Sequence, residues 1–531
     1  MSISRPRASF FLKAVVAVAL VASADVFFFG HLPGSLLGVF ALLWLAAVAI
    51  LRSGWMADRR GMIAAGCAFL LALVLADRPS FIAWILFGLA MMVAVLSARV
   101  RAGESAWNWI QRLIVHAVLA VAGPAIDAVK MGRIQQRRGR ALDLLAVLKF
   151  GAVPVIGSLV FLLLFASANP LIAQILGAFR LPGFSNQTVA HGILWIATLI
   201  AVWGILRPRW HRKLLRMPTL KGRTVSDGKT GSVLLSLIVF NLLFAIQNGL
   251  DLLFLWSGAA LPPGMTLAEY AHRGAYPLMV TALLAGLFVL VFLRGESGNA
   301  RCPAVRALVM MWVGQNLFLV ASCLLRMADY IEVYSLTRMR IVAMVWMVTV
   351  AIGLGLICWR VLRNRSATWL VNSNVAVALL VCAGFGIVDL GAIAANWNVR
   401  HAREVDGHGA ALDLCYLDSL NGAAAVPLVR LEQSVSDAAF RQRIGVVRGR
   451  VIFKLEQQQA DWLTWRWRDA RRLQRITVID DTAISLPIID PFQSCADALN
   501  VYPVAASDEQ PVKDLTTTSA AASPLTFEFG A

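Results

Sequence analysis

Four polar side chains break a long apolar run near the middle of this chain, in the stretch Phe240-Asn241-Leu-Leu-Phe-Ala-Ile-Gln247-Asn248-Gly-Leu-Asp251. On a helix, at 100° per residue, Asn241, Asn248 and Asp251 fall within about 80° of one another, and Gln247 widens the arc to about 120°. One carboxylate and three amides on a single stripe can bind a polar ligand or hold a second polar helix. Later apolar runs carry Gln315, Asn316, Arg326 and Asp389, and an early one carries Asp25. Two of the links between runs are polar in both signs. One holds Glu269, His272 and Arg273; the other follows Arg326 with Tyr330, Tyr334 and Arg338 at i, i+4 and i+8, the spacing of one helical face. These residues form the candidate ligand-binding set. Pairing between helices accounts for them equally well, because an ionisable group inside a membrane needs either a partner or water.

The elements that must position them are membrane helices. The 531 residues are 59% hydrophobic and only 15% charged, with mean hydropathy +0.70, more apolar sequence than a globular core can use. A helix needs about 20 apolar residues to cross a bilayer. Eleven segments meet or approach that length: 10–30, 34–51, 61–77, 80–98, 144–166, 187–206, 232–256, 275–293, 304–325, 339–359 and 374–397. The expected fold is all-α and integral to the membrane, with a polytopic domain over 1–397. The start resembles a signal peptide, but its run is too long, contains Asp25 and leads at once to a second apolar segment.

Charge orients the set. With the N-terminus inside, the inside segments hold 28 Lys and Arg, against 6 in the outside links before the tail. Eleven crossings then put the C-terminal tail outside. The net charge of +19 is therefore topogenic, favouring anionic lipids at the inner leaflet as partners and disfavouring nucleic acid, and the tail from 400 carries 14 basic against 17 acidic residues. Residues 104–131 read as an amphipathic helix in the inner interface, with a twelfth crossing as the rival. Residues 207–230 read as a basic inner connector, or as a specific site for an anionic headgroup or partner.

The tail divides into a mostly helical domain over 398–504, with candidate helices at 411–431 and 434–459, and a disordered end over 505–531. Its sharpest feature is the aromatic and basic run Trp462, Trp465, Arg466, Trp467 and Arg468, continuing through Arg471, Arg472 and Arg475. A membrane-interface anchor, a lid over the bundle and a stacking surface for nucleic acid each use such residues, the last requiring a contact that an outside tail lacks. Cys415 and Cys495 are the tail's two cysteines, and an external compartment permits a disulfide between them. No metal-ligand cluster, nucleotide loop or catalytic motif is recognisable, so no metal and no cofactor are expected and a single-chain ATP-driven pump is disfavoured, while the motifs lean away from an enzyme without deciding the matter.

Three stretches resemble a known family. The segment from Leu235 to Trp256, followed by Ala268-Glu-Tyr-Ala-His-Arg-Gly-Ala-Tyr-Pro277, is similar to the core of bacterial multi-pass membrane proteins grouped as domain of unknown function 4173, with the related 4153 group. The late Asp461-Trp-Leu-Thr-Trp-Arg-Trp-Arg-Asp-Ala-Arg471 and the early Ser23-Ala-Asp-Val-Phe-Phe-Phe-Gly30-His-Leu-Pro-Gly34 resemble the same group, so the likeness runs from about the first segment to residue 475. It implies a bacterial inner-membrane location and no particular activity. Three function classes follow: a binding or transport-like protein with a pocket in the outer half, taking a small polar or lipid-headgroup ligand; a transferase acting on lipid-linked substrates; and a signalling or scaffold subunit. Oligomeric state is not encoded in any of these features.

Overall fold

A computed structural model describes residues 10–51, 58–100, 103–136, 158, 185–209, 227–256, 303–363, 365–479 and 493–500. Within them the chain is helical and contains no strand. The bundle comprises α1 (Phe10–Phe28), α2 (Leu36–Leu51), α3 (Arg59–Asp77), α4 (Phe81–Ser97), α5 (Ala106–Val121), α6 (Gly123–Gln136), α7 (Asn186–Leu206), α8 (Asp227–Asp251, continued by a π-helical turn Leu252–Trp256), α9 (Pro303–Tyr334), α10 (Arg338–Arg363) and α11 (Ala367–Ile387). Among the described residues seven helices are long and apolar enough to cross a membrane, namely α1, α3, α7, α8, α9, α10 and α11, while α2 and α4 are apolar but shorter. The expected segments 144–166 (apart from residue 158) and 275–293, most of the connector 207–230 and the end 505–531 lie outside the described residues, as do Glu269, His272 and Arg273.

Side chains are distributed as a bilayer requires. Ala17, Ala24, Ala41, Ala68, Ala72 and Ala83 are sealed between helices, whereas Phe11, Ile50 and Leu380 are about three-quarters exposed. Lipid is as apolar as leucine, so contact between such helices comes from small residues that let backbones approach. Ser105, Ser185 and Ser366 start α5, α7 and α11 by accepting from the backbone N–H three residues on.

Two packed groups result. Helices α1 to α4 and α7 share one core around Phe40, Trp44, Phe87 and Trp203. Helices α8 to α11 share another around Leu237, Trp312, Met347 and Leu370. The groups meet where α11 crosses α4, with Gly386 against Ala83. Helix α7 lies antiparallel to α1, since Trp203 packs on Phe10 and His191 on Asp25. Helix α8 lies parallel to α9, since Asn241 bonds Leu308, Asn248 bonds Gln315 and Trp256 bonds Ser322 at a nearly constant sequence offset. The N-termini of α8 and α9 are therefore at the same end. The bent pair α5–α6 (bent by 54°) touches Asn372 near the start of α11 at its first residue, and Trp203 and Arg209 near the end of α7 at the bend and the first turns of α6.

The eleventh segment expected over 374–397 is divided. Helix α11 stops at Ile387, Val388 is extended, and Asp389 caps a separate helix α12 (Leu390–Arg400) by accepting from Gly391 N and Ala392 N at 3.0 and 3.2 Å. An aspartate with an extended backbone opens a helix more readily than it continues one. The tail then builds α13 (Arg403–Asp406), α14 (Leu414–Ser419), α15 (Gly422–Ser434), α16 (Ala438–Ala460), α17 (Trp467–Ile479) and α18 (Cys495–Asn500). The single candidate helix at 411–431 is thus two helices, and Pro427 lies inside α15. These helices share a core in which Leu417, Leu428, Val447 and Leu455 are buried with Leu336 and Ile331 of the bundle, and a disulfide joins Cys415 to Cys495.

Candidate functional site

The candidate residues separate into three places. The seam between α8 and α9 gathers seven of them. Asp251 and Arg326 form an ion pair that is almost completely buried, and Gln247 Nε2 donates to the same Asp251 oxygen at 3.0 Å. Below the pair, Asn248 Nδ2 donates to the Gln315 carbonyl at 3.1 Å, and Asn241 Nδ2 donates to the Leu237 and Leu308 carbonyls at 2.7 and 3.0 Å. Asn316 Nδ2 donates to the Trp312 carbonyl at 2.8 Å. Each amide nitrogen of the three asparagines is spent on a helix carbonyl, which leaves the oxygens pointing elsewhere. The oxygens of Asn241, Asn248, Gln315 and Asn316 are buried and accept no hydrogen bond. Such acceptors cost free energy in an apolar layer until a donor meets them.

The second place is the turn between α9 and α10. Tyr330 and Tyr334 pack with ring centroids 4.7 Å apart. Arg338 does not share their face, because Ser335 takes φ 66° and ends α9 before Arg338 begins α10. The cation over Tyr330 is instead Arg340, 4.4 Å from the ring centroid. Arg338 turns to the tail, where its backbone N–H donates to the Tyr416 hydroxyl at 2.9 Å and its guanidinium to the Leu420 carbonyl at 3.3 Å. Beside this turn opens a cavity of about 380 Å³ lined by Glu332, Ser335, Trp397, His401 and His408 among others. His401 and His408 were not among the sequence candidates; both fall just past the last apolar segment, where no periodicity draws attention to them.

The third place is where the tail docks. Asp389 does not join the seam; its partners are Arg472 at 2.5 Å and, farther off, Arg78 and Arg468, both at 3.8 Å. Asp77 at the end of α3 takes Arg468 (2.6 Å) and Arg471. Asp469 pairs with Arg472 at 2.6 Å. The backbone is pinned as well: Ser35 N–H donates to the Trp465 carbonyl at 2.7 Å, and Trp467 N–H donates to the Ser35 hydroxyl at 2.9 Å. Arg466 reaches the Pro33 carbonyl at 3.5 Å. Arg466, Arg468, Arg471 and Arg472 therefore face the bundle, whereas Arg475, Trp462 and Trp467 stay mostly exposed. Asp77, Ser35 and Arg78 were missed as partners; the polar link Asp77-Arg78-Pro79-Ser80 between two apolar runs was the available signal. Asp25, at the same end of the bundle, is held by His191 Nδ1 at 2.6 Å and by Trp195 Nε1 at 2.9 Å.

A family model described as Domain of unknown function (DUF4153) matches residues 62–431, more than two-thirds of the chain. The chain belongs to the DUF4153 family. Of the two groups that the sequence resembles, the match is to 4153. The DUF4153 region runs from α3 into α15, a narrower span than the likeness suggested, so Ser35 and the run from Asp461 to Arg472 fall outside it. No curated protein and no solved structure matches the chain.

Burial pushes the Asp389 carboxyl up, but Arg472 and Arg78 outweigh it and hold it below the usual carboxylate range. A folded-state pKa below the unfolded value gives stability that is present above the unfolded pKa of about 3.9 and is lost as pH falls through the folded one. Docking of α17 is therefore expected to hold from pH 7 to pH 5 and to loosen below about pH 4. Amide exchange over residues 467–479 measures this; protection unchanged at pH 3 would count against Asp389 as a clamp.

Proposed function

We propose that this multi-pass membrane protein is a binding or transport-like protein that accepts a small polar ligand rich in hydrogen-bond donors along the α8–α9 seam, in the half of the bundle nearest the tail. The observation that carries this reading is the set of four buried amide oxygens without donors, on Asn241, Asn248, Gln315 and Asn316. A purely structural seam would turn such oxygens to partners, as nearly all buried acceptors are turned. In this reading Asp251 and Arg326 lock the two helices at one end of the path, and the amides contact the ligand. The excess of basic residues at the opposite end supports a tail that is extracytoplasmic in a bacterial inner membrane, with eleven crossings and the N-terminus inside.

The test is a thermal-shift series on the purified full-length protein with ethanolamine, glycerol and neutral amino acids as probes. Asn248→Leu and Gln315→Leu are expected to be at least as stable as the wild type, since they remove unsatisfied acceptors. They should also lose the upward shift that a probe gives the wild type. A shift that persists in both variants, or no shift from any probe in the wild type, would refute the reading.

A second reading, a transferase acting on lipid-linked substrates, is favoured by the cavity at the α9–α10 turn. Glu332, His401 and His408 are groups capable of acid and base work beside an aromatic wall. It differs from the first in requiring turnover that Glu332→Gln removes while seam-dependent binding persists.

A further inference from the structure

At the end of the bundle opposite the tail, a cavity of about 300 Å³ is lined by Lys13, Arg99, Lys130, Arg207 and Arg209, with Asp127 the only carboxylate among its described lining residues. Five cations around one anion leave a strong positive excess in a concave space. The cavity is also built rather than accidental. Asp127 is buried and draws in Arg207 at 3.3 Å and Arg209 at 3.2 Å, while Trp203 Nε1 donates to it at 3.0 Å. Arg209 is fixed further by the Gly123 carbonyl at 2.9 Å, and Arg207 lies over the rings of Phe10 and Trp203 at 5.1 and 5.9 Å. Each guanidinium has five N–H donors, and these contacts use only some of them. Held in this way, the two forks are pre-organised for the oxygens of an anion, with Lys13, Lys130 and Arg99 around them.

The surroundings indicate what carries the anion. Ile110, Ile114, Val118 and Val121 are exposed on α5 and fall within about 80° of one another at 100° per residue. This apolar stripe ends at the bend where α6 begins, and α6 contributes Asp127 and Lys130 to the cavity. A hydrocarbon stripe leading into a cationic cavity matches a molecule with acyl chains at one end and phosphate at the other.

We propose that this cavity is a phosphate-binding site at the membrane surface, and that its occupant is the headgroup of an anionic phospholipid. The test uses the purified full-length protein and native mass spectrometry with phosphatidic acid in one arm and inorganic phosphate in the other. Phosphatidic acid is expected to bind, and Arg207→Gln with Arg209→Gln to weaken it about tenfold, a loss of about 1.4 kcal/mol. Lys130→Gln, at an exposed position, tests the site without disturbing the Asp127 network and is expected to weaken binding about threefold, as loss of one exposed charge contact does. Arg363→Gln removes the same charge elsewhere at this end and should leave binding unchanged. Equal affinity in all variants, or an equal loss in Arg363→Gln, would overturn the site. Inorganic phosphate competing as well as phosphatidic acid would overturn the lipid as its source.

Discussion

Arg326→Ala is expected to destabilise the full-length protein by about 3–5 kcal/mol, among the largest effects available to a single substitution in the seam, because it leaves Asp251 charged and dehydrated. Asp251 has no exposed surface and Arg326 almost none, so neither can recruit water when the other is removed. Neutralising both should behave differently. Asp251→Leu combined with Arg326→Met replaces a desolvated pair by apolar packing and is expected to return stability to near the wild-type value. Denaturation followed by near-ultraviolet circular dichroism measures both variants. A single variant as stable as the wild type would mean that the pair is hydrated in the membrane. The double variant also informs function: if Asp251 and Arg326 only lock the helices, it retains the probe-induced shift of the seam amides; if they contact the ligand, the shift disappears with the charges.

Gly34→Val is expected to undock the end of the tail while leaving the bundle folded. A Cβ at Gly34 would stand 2.6 Å from the Leu463 carbonyl oxygen, 2.7 Å from that of Trp465 and 2.9 Å from the Thr464 carbonyl carbon. These are backbone atoms and cannot rotate aside. The displacement removes the two hydrogen bonds of Ser35 to the Trp465–Trp467 backbone and draws Arg468, Arg471 and Arg472 away from Asp77 and Asp389. At about 1 kcal/mol for each neutral bond, and more for the charged ones, the loss exceeds what a local contact of this size can absorb. Amide exchange over residues 461–479 should accelerate by about 100-fold or more, the equivalent of roughly 2.7 kcal/mol, with the exchange of α3 and α4 unchanged. Unchanged exchange in the tail segment would show that docking does not depend on close approach at Gly34.

The seam was legible from residue spacing, because Asn241, Asn248 and Asp251 share a face through helical periodicity alone. Which residues they meet was not legible. The sequence offset between α8 and α9 depends on two helices lying parallel, and Arg326 reaches Asp251 only in that arrangement. The same limit explains the errors at Asp389 and Arg338. An apolar run continues through 374–397, so hydropathy reads one helix, but the break at Val388 is set by the Asp389 cap and by arginines more than 80 positions away. Tyr330, Tyr334 and Arg338 have helical spacing, yet the positive φ of Ser335 ends the helix between them. The arginine-rich run was visible as an unusual composition, and its docking on Asp77 and Ser35 was not, because salt bridges across nearly 400 positions leave no local trace.

By itself the sequence determined the class of protein, the position of its apolar segments, the polar stripe and the basic bias at one end. Those properties are read by the bilayer one segment at a time, through helix length and loop charge. Tertiary structure decided which polar groups are paired and which are left with free acceptors. It also decided that the tail is clamped to the bundle, and that five cations scattered between Lys13 and Arg209 line one cavity. Pairing of buried charges and amides depends on distances of a few ångströms between helices remote in sequence, which no local pattern encodes.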